Sequence, residues 1–372
     1  MNIMKKPRFY RSKSALPKGT KTIDAVPSAF GELFFIENPQ VSKSDPRAKP
    51  LLKAFLAEKK HTQGLWVYYP WLHTAVRVPP EDVYYRLRIA RNRDLITEEE
   101  QSAYRAAVVG VAGLSVGSAV VASLVATGGP KHMKIADPDF VEITNLNRMR
   151  ATLPDIGSNK AEVAAEQVWE IDPFAELEVL NRGLQSEALK DFLLKKPALD
   201  VFVDEMDDIA MKVAVRFACR AARIPVVMAT DNGDSIIVDI ERFDLEPKRP
   251  IFHGKVTLPK TKLENLSRDQ FIALSTAIID PTFFTTRQQQ SILAIGTRLS
   301  GVAQLGTAAT IAGAAIAYVV RRIASGAEMP SGRYVMGCEP TFIPAYNSAR
   351  EKKVRERATR AFMKALAAPK GR

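Results

Sequence analysis

Cysteine is nearly missing from this sequence. Its two copies, Cys219 and Cys338, lie far apart and form no CxxC pair, which excludes a disulfide framework and a cysteine-rich structural zinc site. Histidine is almost as scarce: His61, His73, His132 and His253 stand without metal-ligand spacing and read as surface or hydrogen-bonded rings. The opening MNIMKKPRFYRSKS has charge but no apolar segment behind it, so no secretory signal is read and a cytoplasmic setting is expected. One long uncharged run exists, GVAQLGTAATIAGAAIAYVV at 301–320. Its length suits a membrane span, yet Ala, Gly and Thr dominate it and Gln304 sits inside it. The expectation is a soluble core helix packed closely through small residues, with no membrane contact. No internal repeat is found.

What the chain has in excess is positive charge, +12 over 372 residues. The excess is confined to the ends. Residues 1–22 carry seven Lys/Arg and no acid, residues 348–372 carry nine Lys/Arg and two acids, and the body between stands at −2. Charged ends can meet the phosphates of nucleic acid or an acidic partner. No aromatic-and-basic recognition module accompanies them, so solvated tails are preferred and nucleic acid is not favoured. Trp66, Tyr68, Tyr69 and Trp71 invite base stacking, but a run of this kind bounded by Gly and Pro reads better as a buried or interface strand.

Three regions are expected. Residues 1–80 form an N-terminal extension of unassigned role, with GELFFIENP as a strand, PRAKPLLKAFLAEKK as a helix and GLWVYYPWL as a strand. Residues 81–347 hold the main domain, and 348–372 form a basic amphipathic helix. Within the main domain, 81–105 reads as helical, with a capping box at Thr97 and Glu100. Short apolar strands and helices then alternate: AAVVGVA, SAVVASLVAT, HMKIAD, a helix near 160–171, LEVL, a helix at 185–194, DVFVDE, a helix at 209–223 and PVVMAT. The pattern predicts an α/β fold with a Rossmann-like, doubly wound, mainly parallel sheet. Residues 241–290 are less regular.

Three signals then carry chemistry. The first is the strand–turn–helix around GVAGLSVGS. Small residues let the backbone approach phosphates, and the helix N-terminus offers free N–H groups and a positive dipole end. Gly113, Ser115, Gly117 and Ser118 are the candidate phosphate-side residues, with serines in the second and third glycine places of the dinucleotide fingerprint. The second signal is Asp137, 24 residues after Gly113, where a carboxylate can hold ribose hydroxyls. A nicotinamide dinucleotide and ATP satisfy it equally. The third signal separates them. DPDFVEITNLNRMRATLPDIGSNKAEVA brings Asn145, Arg148 and Lys160 into one stretch. A dehydrogenase has no task for that Arg and Lys, whereas a triphosphate needs cations against its charge. Further on, VFVDEMDD places carboxylates at the end of another strand, one of them suited to Mg2+. Singly, each of these residues reads equally well as part of a surface ion pair; the ordered set is what separates the readings.

This set resembles the ThiF/MoeB and ubiquitin-activating enzyme superfamily. Its hallmark is a glycine turn, an acid-x-acid after the second strand, Asn-x-x-Arg, a Lys and a later Asp-x-x-Asp. They stand here as Asp137 and Asp139, Asn145 and Arg148, Lys160, and Asp204 and Asp207. The resemblance covers 85–340, and GLSVGS, IPVVMATDNGD and ERFDLEP are similar to a bacterial ThiF-like subgroup sometimes fused to a nitroreductase-type domain. It implies ATP-dependent activation of a carboxylate as an acyl-adenylate, the acceptor being the C-terminus of a ubiquitin-like or sulfur-carrier protein, or a peptide. It further implies nucleotide binding by Asp137 and Asp139, phosphate and transition-state contacts from Asn145, Arg148 and Lys160, and Mg2+ at Asp207. In family homodimers an arginine ahead of the first strand reaches the other subunit's ATP site, which makes Arg93 the candidate. The family's paired CxxC motifs are absent, and Cys219 and Cys338 read as structural, so no enzyme thioester is expected. Two other classes stay open: an NAD(P)-dependent oxidoreductase, and a non-catalytic nucleotide-binding or assembly protein of the same fold.

Overall fold

The computed structural model describes residues 5–58, 64–259 and 263–367; His61 lies outside them. The N-terminal region holds β1 (Arg8–Tyr10), β2 (Lys21–Asp24), α1 (Val26–Glu37), α2 (Ala48–Glu58), β3 (Leu65–Tyr69) and β4 (Thr74–Val78). Its strands form a small sheet in the order β1-β3-β4-β2. The strand expected at GELFFIENP is instead the second half of α1. Pro27 sits in its first turn, and Val26, Ala29, Phe30, Leu33 and Phe34 recur at helical spacing on its buried face. The aromatic content that suggests a strand is a packing face, with Phe34 edge-on to Phe55 of α2 at 5.5 Å. In β3 the alternation is used on both sides: Trp66 and Tyr68 pack within the small unit, while Val67 and Tyr69 join the core of the main domain.

The expected helical stretch at 81–105 is two helices, α3 (Glu81–Arg88) and α4 (Glu98–Ala106), the second opened by the Thr97–Glu100 capping box. There follow β5 (Val108–Ala112), α5 (Gly117–Ala126), β6 (His132–Ala136), α6 (Lys160–Ile171), β7 (Glu176–Leu180), α7 (Ser186–Leu194), β8 (Val201–Asp204), α8 (Ile209–Ala222), β9 (Val226–Asp231) and β10 (Ser235–Glu241). The chain closes with α9 (Arg268–Ile279), α10 (Thr286–Leu293), α11 (Gly306–Ala324), β11 (Gly332–Gly337), α12 (Cys338–Phe342) and α13 (Ala349–Ala367). The main sheet has the order β11-β10-β9-β8-β5-β6-β7, parallel from β9 to β7, with β10 and β11 antiparallel at one edge. Every residue of β5 is buried because helices cover both faces. The sheet is a doubly wound α/β fold.

One face packs on α5, α6 and α11, the other on α7 and α8. Among the described residues α11 alone has the length and hydropathy of a membrane span, and half of that window is buried within the protein. It lies so close to α5 that a Cβ on Gly313 would stand 2.4 Å from the Ala119 carbonyl oxygen. Glycine is required there by the approach itself. On the other face a charge cluster is sealed under α8. Arg216, fully buried, donates to Asp204 at 2.5 Å and to Glu241 at 2.6 Å, with the Phe252 ring 4.0 Å from its guanidinium. Lys212 adds a second bond to Asp204 at 3.1 Å. Cys219 is buried on the same helix, and burial pushes its thiol up, away from reactivity. Cys338 is half-buried at the start of α12. The basic helix α13 docks on α10, with Phe362 buried and Thr359 accepting a bond from Gln289 at 2.8 Å.

Candidate functional site

The parallel strands β5, β6, β8 and β9 all end on the same edge of the sheet, and the turn after β5 is its centre. Gly113 has φ +88, and a Cβ on it would fall 2.2 Å from the Glu205 carbonyl oxygen in the loop after β8. The turn and that loop are therefore pressed together at a position only glycine allows. Leu114 N–H donates to Asp137 Oδ2 at 2.5 Å, and Asp139 N–H to Oδ1 of the same carboxylate at 2.8 Å. Asp137 is buried, and burial raises its carboxyl above the usual range against the pull of these two N–H groups. Both of its oxygens are already engaged, one by the turn and one by the segment after β6.

The segment after β6 brings the cations. Asn159 caps α6, accepting from Ala161 at 2.9 Å and Glu162 at 3.3 Å, and so starts the helix at Lys160. Lys160, buried to 7 % exposure, bonds Asp139 Oδ2 at 3.0 Å, whose own side chain is 66 % exposed. Arg148 follows a short helical turn closed by Asn145, whose Oδ1 accepts from the Glu142 N–H at 3.1 Å. The Arg148 guanidinium reaches the glycine turn, donating to Ser115 Oγ at 3.1 Å, and is steadied by the Thr144 carbonyl and the Asn147 side chain, each at 3.0 Å. Ser118 Oγ donates to the Ser115 carbonyl at 2.8 Å and accepts from Arg150 N–H at 3.1 Å, locking turn and segment together from behind. Gly117 opens α5 and packs on Val111.

Two further strand ends complete the cleft. Asp207 is exposed in the loop after β8, with no ion pair among the described residues. Asp231 ends β9. Its Oδ2 accepts from Gln304 at 3.2 Å, while its Oδ1 is buried without a partner. Burial pushes this carboxyl up to about 6, against the pull of Gln304 and Arg148, and the negative charge of Asp207 adds to the rise. Glu205, held only by the Ala229 N–H at 2.9 Å, is likewise pushed well above its usual range by burial.

The structure thus gathers Gly113, Ser115, Gly117, Ser118, Asp137, Asp139, Asn145, Arg148, Lys160 and Asp207 around one edge of the sheet. It does not bring Arg93 there. That residue is exposed in the loop before α4, whose Asn92 bonds the Thr127 carbonyl at the far end of α5. Ten helical residues, about 15 Å, separate the two ends. Asp231, Glu205 and Gln304 were not legible as site residues. The available signal was the strand-end position of Asp231, one strand along from Asp204. Among the described residues no group of three or more His, Cys, Asp or Glu side chains is gathered for a metal.

The profile of the ThiF family matches residues 89–356, most of the chain and all of the cleft. The chain belongs to the ThiF family. An uncharacterized protein of Mycobacterium tuberculosis is 38% identical over 269 residues, 72% of this chain and 37% of its own length. The sulfur carrier protein ThiS adenylyltransferase of Escherichia coli is 30% identical over 127 residues, 34% of this chain and 48% of that one. The chain thus spans less than half the length of either relative. A crystal structure of E. coli MccB with MccA-N7isoASN aligns with a TM-score of 0.50 at 17% identity, covering 85% of each chain, and shows the same fold. As a ThiF-family protein, the chain carries a Rossmann-like sheet.

Proposed function

We propose that this ThiF-family chain uses ATP to adenylate a carboxylate. The carboxylate oxygen attacks the α-phosphorus, the bond from that phosphorus to the bridging oxygen breaks, and pyrophosphate leaves with the electron pair, giving an acyl-adenylate. The observation that carries the reading is the Arg148–Ser115 bond, which fixes a guanidinium over the glycine turn, with Lys160 at the next strand end. Together they offer positive charge where a triphosphate would lie and where charge grows as pyrophosphate departs. The turn offers the backbone N–H groups of an α5 N-terminus. Asp139, bonded to Lys160 but open to solvent, is better placed than Asp137 to meet ribose hydroxyls. Asp207 fits a hard divalent cation, since it is an exposed carboxylate without a protein partner beside these cations. Mg2+ bound there would offset phosphate charge.

The acceptor in this reading is the C-terminus of a ubiquitin-like or sulfur-carrier protein, or of a peptide, in the cytoplasm, and the active unit is a homodimer. The sulfur-carrier acceptor is supported by the E. coli relative, a sulfur carrier protein ThiS adenylyltransferase. Arg93, remote from its own cleft, then serves the other subunit's. Exchange of labelled pyrophosphate into ATP, measured with candidate acceptors, tests the reading. The wild type should exchange only with its true acceptor, and Arg148→Ala should lose exchange by about a hundredfold or more. Undiminished exchange in Arg148→Ala sinks the assignment. A second reading, a nucleotide-binding assembly protein without chemistry, rests on Asp137, whose two oxygens are already engaged by backbone N–H groups. ATP binding without exchange across the acceptor panel would select it.

A further inference from the structure

Asp231 is a buried carboxylate that the protein leaves half-finished. It is 8 % exposed, Oδ2 has one neutral partner in Gln304, and Oδ1 has none. No Lys, Arg or His among the described residues stands at ion-pair distance from it. An unpaired buried charge is expensive to keep, and folds that keep one place a positive group against it. The same sheet shows how a structural carboxylate is treated. Asp204, one strand away, receives both Arg216 and Lys212.

The position of Asp231 says where the missing cation comes from. Strands β8 and β9 run parallel with Phe202 opposite Val226 and Val203 opposite Val227. Just past the end of β8 the Glu205 side chain accepts from the Ala229 N–H at 2.9 Å and ties the following loop to β9. The strand offset, carried on past β8, points Asp207 toward the level of Asp231. Adjacent parallel strands lie about 4.8 Å apart, close enough for carboxylates at matching levels to share one ion. The charges of Asp207 and Arg148 both act on Asp231.

We propose that Asp231 is a second protein ligand, beside Asp207, for a divalent cation held against the nucleotide phosphates. The inference rests on the adenylation reading for the phosphates but concerns a residue that the family hallmark does not contain. Mg2+ characteristically takes one or two carboxylates and fills its other positions with phosphate oxygens and water. Two acids facing one spot match that demand. An ammonium group would leave one of them idle. Gln304, arriving from the loop before α11, holds Oδ2 and leaves Oδ1 for the ion.

The test uses the full chain with Mn2+ as the probe and α,β-methylene ATP as a nucleotide that cannot transfer its adenylyl group. Free Mn2+ is counted by electron paramagnetic resonance, and nucleotide affinity is measured separately in chelator. Asp231→Asn keeps the size and the acceptor for Gln304. It should weaken Mn2+ binding to the nucleotide complex by at least about tenfold, since even partners that only orient a ligand are worth that much. Its nucleotide affinity in chelator and its circular dichroism should match the wild type. Asp207→Asn should lose Mn2+ to a similar degree, and the double variant should lose no more than a single site's worth. Equal Mn2+ affinity in Asp231→Asn and wild type overturns the inference and leaves adenylation standing. Loss of nucleotide binding in chelator also overturns it, because Asp231 would then act on the nucleotide or the fold. If the wild type takes up neither nucleotide nor Mn2+, the adenylation reading falls first and this inference with it.

Discussion

Asp204 and Asp207 stand three residues apart at the end of β8, and the fold treats them in opposite ways. Asp204 is sealed under α8 with Arg216 and Lys212. Burial alone would raise its carboxyl, but the two cations outweigh it and hold the group below its usual range. Glu241 closes the other side of Arg216, so every charge in that cluster has a partner. Asp207 and Asp231 lie at the strand ends, and among the described residues neither has a cation at ion-pair distance. The lesson is that burial or charge alone does not mark function in this protein. A completed set of pairs is architecture, and an uncompleted one is a request for a ligand.

The largest test of that contrast removes the centre of the closed cluster. Arg216→Met leaves Glu241 buried without its cation and Asp204 with Lys212 alone, and urea unfolding should show a loss of about 3–5 kcal/mol. A loss under 1 kcal/mol would mean that the cluster is not architecture. Next in size, Lys160→Met strips a charge from the open set. Pyrophosphate exchange should fall by about a hundredfold while the unfolding midpoint stays nearly fixed, because the partner Asp139 is mostly in water. Asp231→Asn moves stability the other way. A carboxyl pushed up to about 6 resists ionisation in the folded state, so its burial costs stability above that pH and the cost fades as pH falls toward the unfolded value. At pH 7 without metal, the variant should unfold later, by on the order of 2 kcal/mol. A less stable variant would show that the carboxylate serves the fold.

The smallest test asks whether an unpaired acid outside the cleft behaves alike. Glu166 on α6 is half-buried and pushed up to about 7 by burial and by repulsion from Glu170, Asp155 and Glu162. Stability should therefore decline as pH rises from about 4.5 toward about 7 and level off above it, and Glu166→Gln should flatten that decline. Solvent screening keeps the gain below about 1 kcal/mol. Matched stability profiles of the two proteins from pH 5 to 8 read it directly.

The alternation of β5, α5 and β6 was legible because each strand is a short apolar run and each helix is announced by glycine or a cap. The start of α6 at Lys160 follows from Asn159 in the same way. The pairing state of an acid has no such signature. Nothing local distinguishes Asp204 from Asp207, since what separates them is Lys212 and Arg216, which arrive from the first turns of α8. Asp231 stands one residue past the expected strand PVVMAT, and Gln304 reads only as a polar interruption in an apolar run. The helix at GELFFIENP is a different case. Its period is present in Val26, Ala29, Phe30, Leu33 and Phe34, but Ala25 in the N-cap place announces nothing, the first N–H being met instead by Asp24 at 3.1 Å, and the aromatic content favours a strand.

The contact between Gly313 and Ala119 reaches further than packing. α11 is clamped to α5 at that crossing, and its leading end carries Gln304 against Asp231 and Thr307 against Asp234. α5 in turn begins at the glycine turn. The crossing lies in the first turn of α5, two residues past Gly117, and about two turns into α11, so whatever tilts α11 there must move Gln304 relative to the phosphate cradle and reset the spacing between cradle and acids. A substitution at position 313 would retune the site without touching it.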